Sequence, residues 1–286
     1  MHKIYQFLLL PILFLTLVSC GTTTHNNTTS NTPTEPTSST QPSTPATNTP
    51  TPTSVPASPT STSHTSIDVL VLYDKEVQSS YSDVNARINH LFAVSNNIYS
   101  DSQLNITINA KKILFFDAQT HPALDEIATS TQVQALRNQY NADTVLIYQV
   151  NPNGEVGQCG VAYGAASYAT AAHFRDAMFA QVEINCPSDS TAHELGHNMG
   201  LLHSHLQDGA NPTPYAYGLG HGIDGKFATI MAYAFLFNTN NQVPKFSSPA
   251  YECVPGEPCG IAIGQSGEAH ATKVLEVTAP KIANLY

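Results

Sequence analysis

The chain has 286 residues and a formal net charge of −10, from 11 Lys and Arg against 21 Asp and Glu. That balance excludes a nucleic-acid partner bound through a basic face, and it excludes a basic surface laid on anionic lipid. Composition is uneven along the chain and divides it into three stretches.

Residues 1–19 carry Lys3 and then an almost unbroken apolar run from Phe7 to Val18, closed by the small residue Ser19. The run is shorter than the roughly 20 apolar residues that a membrane-spanning helix needs, so it reads as a secretory signal that is removed. Leu17-Val18-Ser19-Cys20 resembles the bacterial lipobox, in which the Cys becomes the acylated first residue of the mature protein. That resemblance implies a protein of the bacterial cell envelope, lipid-anchored through Cys20 and facing the exterior or the periplasm. Residues 20–65 are dominated by Thr, Ser and Pro, with Val55 as the only large aliphatic residue, and cannot bury enough apolar surface to fold. They are expected to form a disordered, extended stalk. Residues 66–286 are expected to form one folded domain, as a monomer. Export implies an oxidising setting for its four cysteines, Cys159, Cys186, Cys253 and Cys259. Four cysteines permit three pairings, of which Cys159 with Cys186 and Cys253 with Cys259 is favoured.

Within the domain, Ile67 to Tyr73 is a β-branched and aliphatic run that predicts a buried strand. From Asp83 to Tyr99, Val84, Ile88, Leu91, Phe92 and Ile98 recur at helical spacing. A strand is predicted across Asn105 to Phe116, a helix across Gln132 to Tyr140 and a strand at Thr144 to Tyr148. Two shorter strands are predicted at Gly160 to Gly164 and Phe179 to Ile184. Alternating strands and helices point to an α/β (α+β) sandwich.

The segment that carries chemistry is His193-Glu194-Leu195-Gly196-His197-Asn198-Met199-Gly200-Leu201-Leu202-His203. On a helix, His193 and His197 lie one turn apart on one face, so both imidazoles can reach one metal with Glu194 beside it. Ser188, Asp189 and Ser190 are expected to cap the start of that helix. Gly200 permits the helix to end at positive φ and turn back, which delivers His203. Three neutral imidazoles leave the fourth position of a tetrahedral Zn2+ for water, and Glu194 is placed to take that water's proton. His173, His205, His221 and His270 read as surface or structural residues, with His205 as a substitute for His203 if the turn is shifted.

The full pattern resembles the metzincin zinc metalloproteases. Cys159 to Gly164 ahead of the zinc helix, and Phe246-Ser247-Ser248-Pro249 far beyond it, place the resemblance closest to bacterial reprolysin or adamalysin-like peptidases. Such a domain has a twisted mixed sheet and a zinc-binding active-site helix. The resemblance implies one catalytic zinc held by His193, His197 and His203, Glu194 as general base, and hydrolysis of internal bonds in protein or peptide substrates. Ala228-Thr229-Ile230-Met231-Ala232-Tyr233 is similar to the family's Met-turn, which would put Met231 beneath the ligands and Tyr233 near the developing oxyanion. Gly160, Val161, Ala162 and Tyr163 are the candidate exposed edge strand on which extended substrate would lie. The chain departs from the family in carrying no folded pro-domain or inhibitory Cys between the signal and the first strand. No Asp-rich loop of calcium-binding spacing stands out, and calcium is left open. The rival reading is a non-catalytic surface zinc-binding or adhesion module, against which the intact Glu194 argues.

Overall fold

A computed structural model describes residues 17–21, 63–117, 121–150, 158–164, 175–208 and 215–286. Most of the signal and stalk expectations, and His173, lie outside these residues. The main sheet has six strands: β1 Leu17–Gly21, β2 Thr65–Tyr73, β3 Ile106–Phe115, β4 Thr144–Gln149, β5 Gln158–Tyr163 and β6 Phe179–Glu183. Their order is β1-β5-β6-β4-β2-β3. β3, β2, β4 and β6 are parallel, whereas β5 runs antiparallel to β6, and β1 antiparallel to β5. This mixed sheet is the one expected from the sequence.

Parallel strands covered on both faces become continuous apolar runs. β4 illustrates this, with Val145, Leu146, Ile147 and Tyr148 all fully buried. The first two helices, α1 Lys75–Ser80 and α2 Val84–Asp101, are capped by side chains of Asp74 and Asp83, which accept from Val77 N–H and Ala86 N–H. Along α2 the buried Val84, Ile88, Leu91, Phe92 and Ile98 form one stripe against the sheet. Each such side chain contributes about 1.5–3 kcal/mol of apolar burial. Asn96 on the same helix both donates to and accepts from the Ile108 backbone, fixing α2 against β3.

Helices α3 Leu124–Thr129 and α4 Thr131–Tyr140 lead into β4. The α4 residue Arg137 is fully buried, and its guanidinium donates to the carbonyls of Ala142, Asp143 and Arg175. A buried cation persists only where its donors are satisfied, and these three carbonyls do so while the ring of Tyr286 covers its face. Tyr286 is thereby tied to α4 and to Arg175.

After β6 comes α5, Ser190–Asn198, every residue of which is buried. Its expected side-chain caps are absent: Asp189 stands at the N-cap in αR conformation without a side-chain cap bond, and its carbonyl accepts from His193 N–H. A residue already in helical conformation aims its side chain away from the free N–H groups of the first turn. Short strands β7 Leu202–Ser204 and β8 Leu219–Gly220 pair beyond it, with α6 His205–Asp208 between them. The terminal helix is α7, Ala271–Ile282. Both favoured disulfides form, Cys159–Cys186 and Cys253–Cys259.

Among the described residues β5 is not the edge of the sheet. Leu17–Gly21 lies along its outer side with Cys20 opposite Gly160, so the edge expected at Gly160 to Tyr163 is covered while residues 17–21 are in place. An unpaired strand edge is a row of free N–H and C=O groups, and an extended segment of the same chain takes them up here.

Candidate metal centre and its groove

Three elements position the site: helix α5, the turn that ends it, and the segment from Thr229 to Tyr233. The turn is built on Gly200 at φ +99°, a conformation that a Cβ disfavours. Gly200 N–H donates to His197 O at 2.9 Å and Leu201 N–H to Gly196 O at 3.0 Å. These two bonds satisfy carbonyls that a helix end leaves free, and they reverse the chain so that His203 returns to the helix face.

The result is a cluster of His193, His197 and His203, all buried, whose ligand atoms lie within 4.8 Å of one another. His193 Nε2 and His197 Nε2 are 3.1 Å apart. Each ring turns its Nδ1 to an oxygen: His193 to Ile230 O at 2.6 Å, His197 to Leu201 O at 2.9 Å, and His203 to the Asp208 carboxylate at 3.3 Å. A proton held at Nδ1 leaves the Nε2 lone pair to face inward, the tautomer that a metal ligand needs. Burial, and then the neighbouring His203 and His193, push His197 well below the ordinary histidine value and keep it neutral. The donor set therefore fits a divalent metal of the zinc type. His205 does not substitute for His203, because its Nε2 turns to the carbonyl of Glu268.

Glu194 is 1% exposed and lies against β5. A Cβ on Gly160 would stand 2.5 Å from Glu194 Cγ and 2.6 Å from its Oε1, so only glycine lets the carboxylate occupy this place. Cys159, bonded to Cys186, ties β5 to the lead-in of α5 immediately beside that contact. Closing a loop of this length stabilises by about 3 kcal/mol. Asn198 binds the other end of the helix to the sheet, its side-chain amide reaching the carbonyls of Tyr163, Ala177 and Phe179. Tyr148 and Thr191 share a 2.8 Å hydroxyl hydrogen bond between β4 and α5.

Met231 is fully buried, and its Sδ would meet a Cβ on Gly196 at 3.0 Å, which places it directly under the metal helix. The turn that carries it also supplies the Ile230 carbonyl that holds His193. Tyr233 lies with its ring centroid 4.9 Å from that of His203, tilted by 47°, and 6.4 Å from that of His193, nearly parallel to it. The candidate residues His193, His197, His203, Glu194, Gly200, Met231, Tyr233 and Gly160 therefore meet at one site. Val161, Ala162 and Tyr163 continue from it along β5. Reading the sequence missed Asp208, Asn198 and the Tyr148–Thr191 bond. Only Asn198, inside the motif, carried a signal in its position.

Comparison with known proteins agrees with this geometry. The chain is 31% identical over 244 residues, 77% of its length, to a peptidyl-Asp metalloendopeptidase of Pseudomonas aeruginosa, of which it covers 40%. It is 27% identical over 187 residues, 60% of its length, to a protein of the same name from Xanthomonas campestris, of which it covers 42%. The chain thus spans about two-fifths of the length of the curated relatives it matches. Its fold is shared by a chain in a chaperone–substrate complex, with a TM-score of 0.60 and 24% identity over 77% of this chain and 35% of that one. Residues 62–264 match the metallopeptidase family M12B, reprolysin-like. The chain therefore belongs to the reprolysin-like M12B metallopeptidases.

Proposed function

We propose that the protein is a zinc-dependent endopeptidase that cleaves internal bonds of extended protein or peptide substrates. The observation that carries this reading is the buried Glu194 carboxylate packed against Gly160, next to three imidazoles already held in the ligand tautomer. A zinc-holding or adhesive module has no use for that carboxylate, and none of the geometry favours one. Zinc, when bound, supplies a Lewis acid for the scissile carbonyl and lowers the pKa of water. Glu194 accepts the proton of the attacking water and returns it to the leaving amine. The Ile230 carbonyl keeps His193 in place, Met231 packs under the helix at Gly196, and Tyr233 stands beside the ligands where an oxyanion develops.

The pairing of β1 with β5 supports an antiparallel substrate in the same groove. Removal of residues 1–19 takes Leu17, Val18 and Ser19 off β5 and opens that edge. Acylation of Cys20 then anchors the protein to the membrane, a proposal that rests on the Leu17-Val18-Ser19-Cys20 pattern. Cys20→Ala is expected to release the protein from membranes, and its retention there in high salt contradicts the lipid anchor.

A substrate antiparallel to β5 runs from the Tyr163 side toward Cys159. Beyond the scissile bond its next side chain meets a cavity of about 220 Å³ whose lining includes Cys159, Asp189, Ser190, Ile230 and Gln242. Among the described residues the lining carries Asp189 and Glu194 and no Lys or Arg. A substrate carboxylate desolvated beside Asp189 is opposed by it, so this pocket disfavours the aspartate in the relatives' names. Cleavage of a peptide library is expected to show acidic residues depleted immediately after the cut. Enrichment of aspartate there contradicts this view of the pocket.

A further inference from the structure

We infer that Asp208 is the outer carboxylate that orients His203 and strengthens its hold on the metal, an inference that rests on the zinc reading of the site. Asp208 lies five residues past His203, at the end of the short turn α6. One carboxylate oxygen, Oδ2, does two things: it accepts from the His203 backbone N–H at 2.7 Å and stands 3.3 Å from Nδ1 of the same residue. Backbone and ring are thus gripped from one point. The other two ligands are held by neutral carbonyls of Ile230 and Leu201, so Asp208 supplies the one formal charge among the three Nδ1 partners. Among the described residues no Lys or Arg forms an ion pair with Asp208, and the His203 side chain is almost fully buried behind it. The charge is directed at His203.

A carboxylate behind a metal-binding imidazole fixes the proton on Nδ1, holds the ring in plane with the metal and makes Nε2 a better donor. Loss of such a partner weakens metal binding by about 10-fold to 100-fold. Asp208 is a positioning residue, since it acts through His203.

The test is the zinc affinity of the whole protein, measured by competition with a chromogenic chelator at one pH, together with melting of the metal-free form. Asp208→Asn keeps an acceptor for the His203 N–H while removing the charge. It is expected to melt like wild type without metal yet bind zinc about 10-fold to 100-fold more weakly. Asp208→Ala loses both contacts and is expected to bind at least as weakly and to melt lower. Asp208→Glu keeps the charge on a longer arm and is expected to recover part of the affinity. The visible spectrum of cobalt bound in place of zinc should change in Asp208→Asn, as the ring it reports on loses its orientation. If Asp208→Asn holds zinc within twofold of wild type, Asp208 serves only the backbone and the inference fails. If wild type itself takes up no zinc, the zinc reading falls first and the role of Asp208 falls with it.

Discussion

Glu194→Gln leaves a folded protein that loads metal like wild type and cleaves peptide about a hundredfold to ten-thousandfold more slowly. The side chain keeps its length, its helix position and its contact with Gly160, and loses only the oxygen charge that accepts a proton. The three imidazoles and their Nδ1 partners are untouched by this change. Turnover and metal binding therefore separate. Steady-state kinetics beside metal analysis on the same preparation checks this. A comparable rate for Glu194→Gln and wild type removes Glu194 from the mechanism.

Replacing a ligand acts on the other side of that division. His193→Ala, His197→Ala or His203→Ala each removes one of three buried donors. Each is expected to weaken zinc binding by more than the roughly hundredfold that loss of an outer-shell partner costs, and to abolish detectable cleavage at ordinary zinc concentrations. His197→Ala carries a second cost, because its ring also closes the helix end by donating to Leu201 O. Elemental analysis after dialysis measures the loss. Stoichiometric zinc retained by all three variants contradicts the ligand set.

Much of this was legible in the sequence, for definable reasons. Helix periodicity gave α2 from Val84, Ile88, Leu91, Phe92 and Ile98, and the continuous apolar run gave β4, because both patterns are local. The histidine cluster was legible because two of its members share a helix face and the third follows one turn that Gly200 makes possible. Partners brought together by tertiary packing had no such signature. Arg137 reads as an ordinary polar residue on α4, yet it is fully buried among carbonyls from two segments. Asp208 lies five residues from His203 at a spacing fixed by an irregular turn, so no period reports it. The caps assigned to Ser188, Asp189 and Ser190 failed because Asp189 is already in helical conformation. That Leu17–Gly21 covers the edge of β5 had no signature in the sequence, because pairing between distant strands leaves no local mark.

Peptide cleavage is expected to depend on one metal ion held by His193, His197 and His203. Titration of metal-stripped protein with zinc, following cleavage of an unstructured protein such as casein, tests it most directly. The account predicts no cleavage without metal and a rise in rate that saturates at one zinc per chain, with no rise in the His203→Ala variant at the same zinc levels. Cleavage by the stripped protein, or full recovery by His203→Ala, would contradict it.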